Sequence, residues 1–480
     1  MNTQPLNSLG RHFRRVGVGL AVASAVAFSH SAAARVEGVT GPSFTLVAKA
    51  DYISTADGGS VYTWGYALGT GTDCGTQADV QMQYPGPTLL VNQGDVVTIT
   101  LCNQLPANTS LILPGQSSVT TAGGVVGKVT REARPFTPPA SATNPEFADT
   151  KVTYTFVATN PGTYKYNSAT QMNVQLEMGL FGALVVRPAG APTQAYNHVA
   201  TKFDREHLLV LSEMDPVWHD LVRDQAQAVT IPETGTGGAT RNAYRNFSFS
   251  VNTANFPARN PNYWFINGRN GPDTMGEAFS PQLPAQPYNA LPRFHPGEKL
   301  LLRVINAGRD LHPLHHHGNN TWTVGVDGRM LTTSPALGPN LARSDNTLRM
   351  LPGQTVDAFY EWTGKGLNWD IYGGKCDKGA PPSATNCPPL QPFQDPADQY
   401  KPFPTTLPSP LELATGDMYS GSPFLGSTGA LPVGAGRLGM AGAYFHMMHS
   451  HNEREIINYG IFPGGMMTMI VIEPWSVTID

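Results

Sequence analysis

Seven of the 13 histidines in this 480-residue chain fall in two short runs. The first is Leu311-His312-Pro313-Leu314-His315-His316-His317-Gly318. The second is His446-Met447-Met448-His449-Ser450-His451. Along an extended strand, residues two apart point to the same side. His315 and His317 therefore share one face, and His449 and His451 share another. Two such pairs on neighbouring strands can converge on one or two metal ions, and imidazole nitrogen suits copper and zinc. His316 points away from its neighbours and is expected at the surface. His446 is out of phase with 449 and 451 and is expected to be structural.

Met447, Met448, Met466, Met467 and Met469 surround the second run. Thioether sulfur is a good copper(I) ligand, and methionine also fills irregular cores. Met467 and Met469 read as core filling, whereas Met448 and Met466 suit either role. Asp273, Asp327, Asp357 and Glu361 lie near the histidine strands and are expected in turns or at the surface. No glycine-rich phosphate loop and no Gly-x-Ser-x-Gly elbow is present.

The elements that carry these residues read as β-strands. With 50 Gly, 41 Pro and only 14% charged residues, the chain is punctuated as an all-β protein with many turns and long loops. Two halves share one grammar. In the first, Gly94-Asp95 leads into the alternating strand Val96–Leu101 and on to Asn103. Pro161-Gly-Thr-Tyr164 and Gly179–Pro188 close that half. In the second, Pro296-Gly-Glu-Lys299 leads into Leu300–Asn306. Gly442-Ala-Tyr444 and Pro463–Pro474 close it. Short β-branched runs between Pro/Gly turns read as Greek-key sandwich strands, and internal duplication is the simplest account. The expected division is a domain over 35–195 and a second over 196–480 that holds the histidine runs. Two stretches rich in Pro and Gly, 116–145 and 375–442, read as long loops.

Residues 1–34 read as a signal peptide: Arg11, Arg14 and Arg15, then an apolar Val16–Phe28, then Ala32-Ala33-Ala34 before the cut. Arg14-Arg15 lacks the usual twin-arginine context, so an ordinary secretory leader is preferred. A periplasmic or extracellular protein starting near Arg35 is expected, with no apolar run long enough to span a membrane. Taking three Arg from 31 basic residues leaves 28 against 35 acidic ones, a net charge of −7. Nucleic-acid binding is therefore not expected. The four cysteines, Cys74, Cys102, Cys376 and Cys387, suggest disulfides in an exported chain. The local pairing is 74 with 102 and 376 with 387. Three connectivities are open, and a four-thiolate metal site is the rival without any C-x-x-C spacing behind it.

His312-Pro-Leu-His315-His-His317-Gly resembles the His-Pro-x-His-x-His-Gly signature of the multicopper oxidases. Phe265-Ile-Asn-Gly268 and Tyr84-Pro-Gly-Pro-Thr88 resemble further landmarks of that family. The resemblance covers nearly all of the mature chain. It is nearest to two-domain members of cupredoxin type, in a divergent bacterial group with His-Ser-His in place of His-Cys-His. It implies two cupredoxin-like Greek-key β-sandwich domains. It implies copper as cofactor, one or two ions, and a metal ion or small phenolic molecule as electron donor to dioxygen. By match to the motif, His312 would serve a type 1 copper, His315 a type 2 copper and His317, His449 and His451 the type 3 pair. A homotrimer or larger assembly is a further implication.

Departures from the pattern bear on that reading. Ser450 stands where the family has its copper-binding cysteine, and Glu455 where it has the next histidine. A serine hydroxyl is a hard donor that stays protonated, unlike the soft thiolate a blue copper needs. In the first half, the family's histidine pairs would fall at Ile112–Gly115 and at Asn167-Ser168-Ala169, where no histidine remains. The predicted metal ligands are thus His312, His315, His317, His449, His451 and Glu455. Two functions are compatible with this set. One is a divergent copper-dependent oxidoreductase. The other is a non-catalytic copper-binding, storage or extracellular assembly protein on the same scaffold.

Overall fold

The computed structural model describes residues 36–77, 79–135, 149–229, 231–234, 240–243, 251–364, 390, 396, 444–473, 475 and 477–479. The leader, Cys376, Cys387 and, apart from 390 and 396, the whole stretch 365–443 lie outside the described residues.

The principal strands of the first half are β1 Ser43–Ser54, β2 Ser60–Leu68, β3 Gly86–Asn92, β4 Val96–Asn103, β5 Lys151–Val157, β6 Gly162–Asn167 and β7 Phe181–Arg187. They form a six-stranded and a four-stranded sheet, with β2-β1-β4-β5 in the one and β3-β7-β6 in the other. The second half contributes β8 Arg205–Met214, β9 Tyr263–Ile266, β10 Lys299–Asn306, β11 His312–His316, β12 Thr321–Val326, β13 Thr347–Met350, β14 Thr355–Glu361, β15 Tyr444–Ser450 and β16 Met467–Ile472. A seven-stranded sheet runs β9-β8-β10-β14-β12, and a five-stranded sheet runs β16-β15-β11-β13. Only two α-helices occur among the described residues, the short Met172–Gln175 and the longer Pro216–Val229. None of the described helices is long and apolar enough to cross a membrane. The protein is all-β, as its punctuation predicts.

The two halves repeat one pattern in hydrogen bonds as well as in strand order. β4 lies between a parallel β1 and an antiparallel β5, and β10 lies between a parallel β8 and an antiparallel β14. Each of these central strands ends in a buried asparagine that makes the same three bonds. Asn103 Nδ2 donates to the carbonyls of Ala107 and Ala133, both at 2.8 Å, and its Oδ1 accepts from the Leu105 amide. Asn306 Nδ2 donates to Asp310 and Met350 carbonyls at 2.7 and 2.9 Å, and its Oδ1 accepts from the Gly308 amide. Each side chain thus ties together three backbone groups beyond the strand end. Alternation then builds the cores. Val97, Ile99 and Leu101 of β4 face one core, while Leu300, Leu302 and Val304 of β10 face the other.

Part of the expected 116–145 loop is strand: Thr120–Gly123 pairs with β5, and Val125–Val126 pairs with Arg131–Glu132. The edge of β5 carries free backbone groups, and a threonine-containing segment satisfies them despite its polar composition. Two motif landmarks also meet here. Gly268 sits against the carbonyl of Tyr84, at φ +77°, where a Cβ would collide with that backbone. Cys74 and Cys102 form a disulfide with a Cα–Cα distance of 5.4 Å, the local pairing expected for the first two cysteines.

The two halves are tied by buried charge. Arg303 on β10 is fully buried; it donates to Glu206 at 2.8 Å and to the Thr163 hydroxyl of the first half at 3.0 Å. Asp357 on β14 accepts from Thr163 of the first half at 2.5 Å and from Tyr196 at 2.6 Å. Asp357 is therefore neither a turn nor a surface residue. Asp327 and Glu361 follow expectation, in a turn and exposed respectively.

Candidate metal centre

β11 and β15 lie side by side, antiparallel, with His315 opposite His449 and Leu314 opposite Ser450. Their burial alternates strictly. His312, Leu314 and His316 face inward with His446, Met448 and Ser450, while His315, His317 and His449 lie half-buried on the outer face. One nitrogen from each of His315, His317 and His449 lies within 4.8 Å of the others. The Nε2 atoms of His317 and His449 are 3.4 Å apart. The exposed His451 ring stands beside them, 5.0 Å from His315 between centroids.

Two of these rings are held by fixed partners. His449 Nδ1 donates to the Ser450 carbonyl at 2.8 Å. His315 Nδ1 meets the Thr347 hydroxyl at 2.9 Å, and that hydroxyl donates onward to Asn346 Oδ1 at 3.1 Å. Both Nδ1 atoms therefore carry the proton, which leaves each Nε2 lone pair for a ligand. Burial, reinforced by neighbouring imidazoles, lowers His315 and His317 to a pKa of about 4 and moves His449 in the same direction. The cluster is neutral near pH 7 and its lone pairs are free of protons. Three neutral imidazoles at this spacing fit copper, with zinc as the chemical neighbour. A cavity of about 580 Å3 opens beside His315 and His317, lined by Asn319, Asn320, Trp322 and Asn346.

The other predicted ligands lie on the inner side in a different arrangement. His312 is fully buried. Its Nδ1 is 2.8 Å from Glu455 Oε2, and its Nε2 is 2.9 Å from Glu213 Oε2. Ser450 donates its hydroxyl to the same Glu455 oxygen at 2.6 Å, and Asn452 Nδ2 donates to the second oxygen at 2.9 Å. Burial alone would lower the pKa of His312, but the two carboxylates outweigh it and hold it at about 9. His312 is thus an imidazolium at neutral pH with both N–H groups donating, and it has no lone pair for a metal. With a serine hydroxyl in the thiolate's place, this pocket does not fit a type 1 copper.

Sequence reasoning missed Glu213. It also accepts from the Arg309 amide at 2.7 Å and pairs with Arg259, which binds Glu177 and, at 3.1 Å, Asp310. The available signal was one acid in the largely apolar run Leu208–Met214, an anomaly that calls for a buried partner.

In the first half, Ile112 and Asn167 pair by a backbone bridge, so the two segments where the family would place histidines do lie together. Hydroxyls and an amide fill that place: Ser110 bonds Thr170 at 2.9 Å, while Thr109 and Ser168 donate to Gln175 Oε1 at 2.9 and 2.6 Å. His316 is buried, not exposed. Its Nε2 accepts from the Thr321 amide at 3.1 Å, and burial followed by its histidine neighbours lowers it to about 3. His446 packs in the core against Trp362, as a structural residue would. The core-filling reading of Met467 and Met469 is not met, and it falls instead to the two methionines left open. Met448 and Met466 are fully buried, whereas Met447, Met467 and Met469 lie half-buried on the histidine face.

Residues 70–191 match the family model described as multicopper oxidase. The match falls on the half without a histidine cluster. Copper resistance protein A of Escherichia coli is 26% identical over 46% of this chain and 34% of its own length. L-ascorbate oxidase of Cucumis sativus is 29% identical over 30% of this chain and 21% of its own length. The chain spans about a third or less of these relatives. Among solved structures, the blue copper oxidase from Nitrosomonas europaea has a TM-score of 0.49 at 16% identity, covering 91% of this chain and 85% of that one. The multicopper oxidase mgLAC has a TM-score of 0.49 at 16% identity, covering 93% and 88%.

Proposed function

We propose that this chain is an exported copper-binding protein of multicopper oxidase type, in which His315, His317 and His449 hold copper with His451 beside them. The carrying observation is the convergence of three neutral imidazoles within 4.8 Å on one half-buried face. The domain division is at 195/196, with the ligand set in the second domain. Bound copper would supply a centre able to change oxidation state. The chain's own part is to keep the three rings neutral through burial and to orient His315 and His449 through Thr347 and the Ser450 carbonyl. The His312–Glu455–Ser450 pocket adds no copper to this set. Copper carriage or storage therefore fits the geometry better than turnover through an inherited electron-entry site. Oxidation of a metal ion or small phenolic donor is the second reading, favoured by the cavity beside His317.

The test is metal content and oxygen uptake on one sample of the protein as exported by its host, with assembly size from light scattering. Stoichiometric copper that is lost in His315→Ala/His449→Ala, without oxygen uptake, supports carriage. Copper with oxygen uptake supports the oxidase. Absence of bound copper, and failure to take it up on reconstitution, overturns both.

A further inference from the structure

The outer face that holds the histidines continues across the next strand as sulfur. Antiparallel register places Met447 opposite Met469 and His449 opposite Met467. On the other side His315 stands opposite His449, and the His317 amide donates to the Met447 carbonyl at 2.9 Å. Two rungs therefore cross the sheet, His317–Met447–Met469 and His315–His449–Met467. Directly opposed side chains on one face of a sheet have Cβ atoms roughly 5 Å apart, within reach of long unbranched methionine chains. The inward positions between them, Met448, Thr468 and Ile470, are fully buried. Core filling accounts for Met448 and Met466, which lie in the hydrophobic cluster of this half. It does not account for three thioethers on the opposite, half-buried face. Met467 lies beside Gly271, near enough for its methyl to meet a Cβ built there at 3.4 Å, and three rotatable bonds leave its sulfur free to turn.

Thioether sulfur is neutral, soft and not protonated at any working pH. It ligates copper(I) and silver(I) and is a poor partner for copper(II) or zinc. We propose that Met447, Met467 and Met469 form a site for a soft monovalent cation beside the imidazole cluster. The site is distinct from the histidine set and stands whether or not that set holds copper(II).

The test is titration of the full chain with silver(I), which binds thioethers without redox change. Three proteins are compared: the natural sequence, Met447→Leu/Met467→Leu/Met469→Leu, and His315→Ala/His449→Ala. The expected result is at least a tenfold loss of silver affinity, or loss of one equivalent, in the leucine variant. That variant keeps its copper(II) binding, and the histidine variant keeps silver within a few-fold. Unchanged silver binding in the leucine variant overturns the site. Should that variant fail to fold, peroxide footprinting of the natural protein decides: silver is expected to protect these three methionines from conversion to sulfoxide, and equal oxidation with and without silver overturns the site. Loss of copper(II) binding in the histidine variant leaves this outcome untouched, so the two readings fail separately.

Discussion

His312 Nδ1 and Glu455 Oε2 lie 2.8 Å apart, and the same carboxylate oxygen accepts the Ser450 hydroxyl. Three positions that would line a type 1 copper pocket are thus bonded to one another. The three side chains complement one another: serine supplies a proton, glutamate accepts it, and the histidine lies as a cation between two acids.

Restoring sulfur alone is therefore expected to leave the protein without blue colour. In copper-loaded Ser450→Cys, Glu455 and Glu213 still hold both His312 nitrogens, and no intense visible thiolate-to-copper absorption develops. The visible spectrum checks this, with Ser450→Cys/Glu455→His/Glu213→Gln as the comparison in which absorption is expected to begin. Blue colour in the single variant would contradict the account of the pocket.

Stability should fall on the alkaline side for the same reason. The folded pKa of His312 is raised, from an ordinary 6.5 to about 9. Its contribution is complete below 6.5 and is lost as pH rises through 9. The shift corresponds to an upper figure of about 3 kcal/mol. Denaturant unfolding between about pH 6 and 10 spans this window, and His312→Gln is expected to flatten the slope there. Glu213→Gln, which uncouples a buried pair, is expected to lose about 3–5 kcal/mol at neutral pH.

Thr347 is expected to matter to metal binding without touching the metal. Thr347→Val removes the acceptor that fixes His315 Nδ1. Loss of such a partner costs about 10–100-fold in metal affinity. Competition with a chelator of known strength reads the change, and an unaltered melting temperature shows that the fold is intact.

Asn103 and Asn306 offer a paired test of the duplication. Asn103→Ala and Asn306→Ala each remove three hydrogen bonds to backbone groups, with the Ala133 carbonyl keeping the Thr109 amide. Each is expected to cost about 1–3 kcal/mol per group stranded. Similar losses in thermal unfolding would show that the two halves are pinned alike.

Much of the fold could be read from local pattern. Alternation in Val96–Leu101 and Leu300–Val304, bounded by Pro/Gly turns and a terminal asparagine, determines strands, their inner faces and the repeat, because side-chain direction in a strand has a period of two. The same period separates His315 and His317 from His316, and it is enough to nominate the cluster. The strand within 116–135 was not legible, since an edge strand is selected by free backbone groups on its neighbour and not by its own composition.

Tertiary structure alone decided which candidates meet. His312 and His315 are three residues apart, yet they lie on opposite faces of one sheet, one held by two acids and one beside two imidazoles. Glu213 reaches His312 across 99 residues of sequence, a contact with no local trace beyond an acid in a largely apolar stretch. The same period puts Met447 with His449, but whether Met467 and Met469 share the histidine face could not be read locally, because a separate strand does not announce its register. Pairing with β11 and β16 fixed that register, and a shift of one residue would have exchanged every side chain between core and surface.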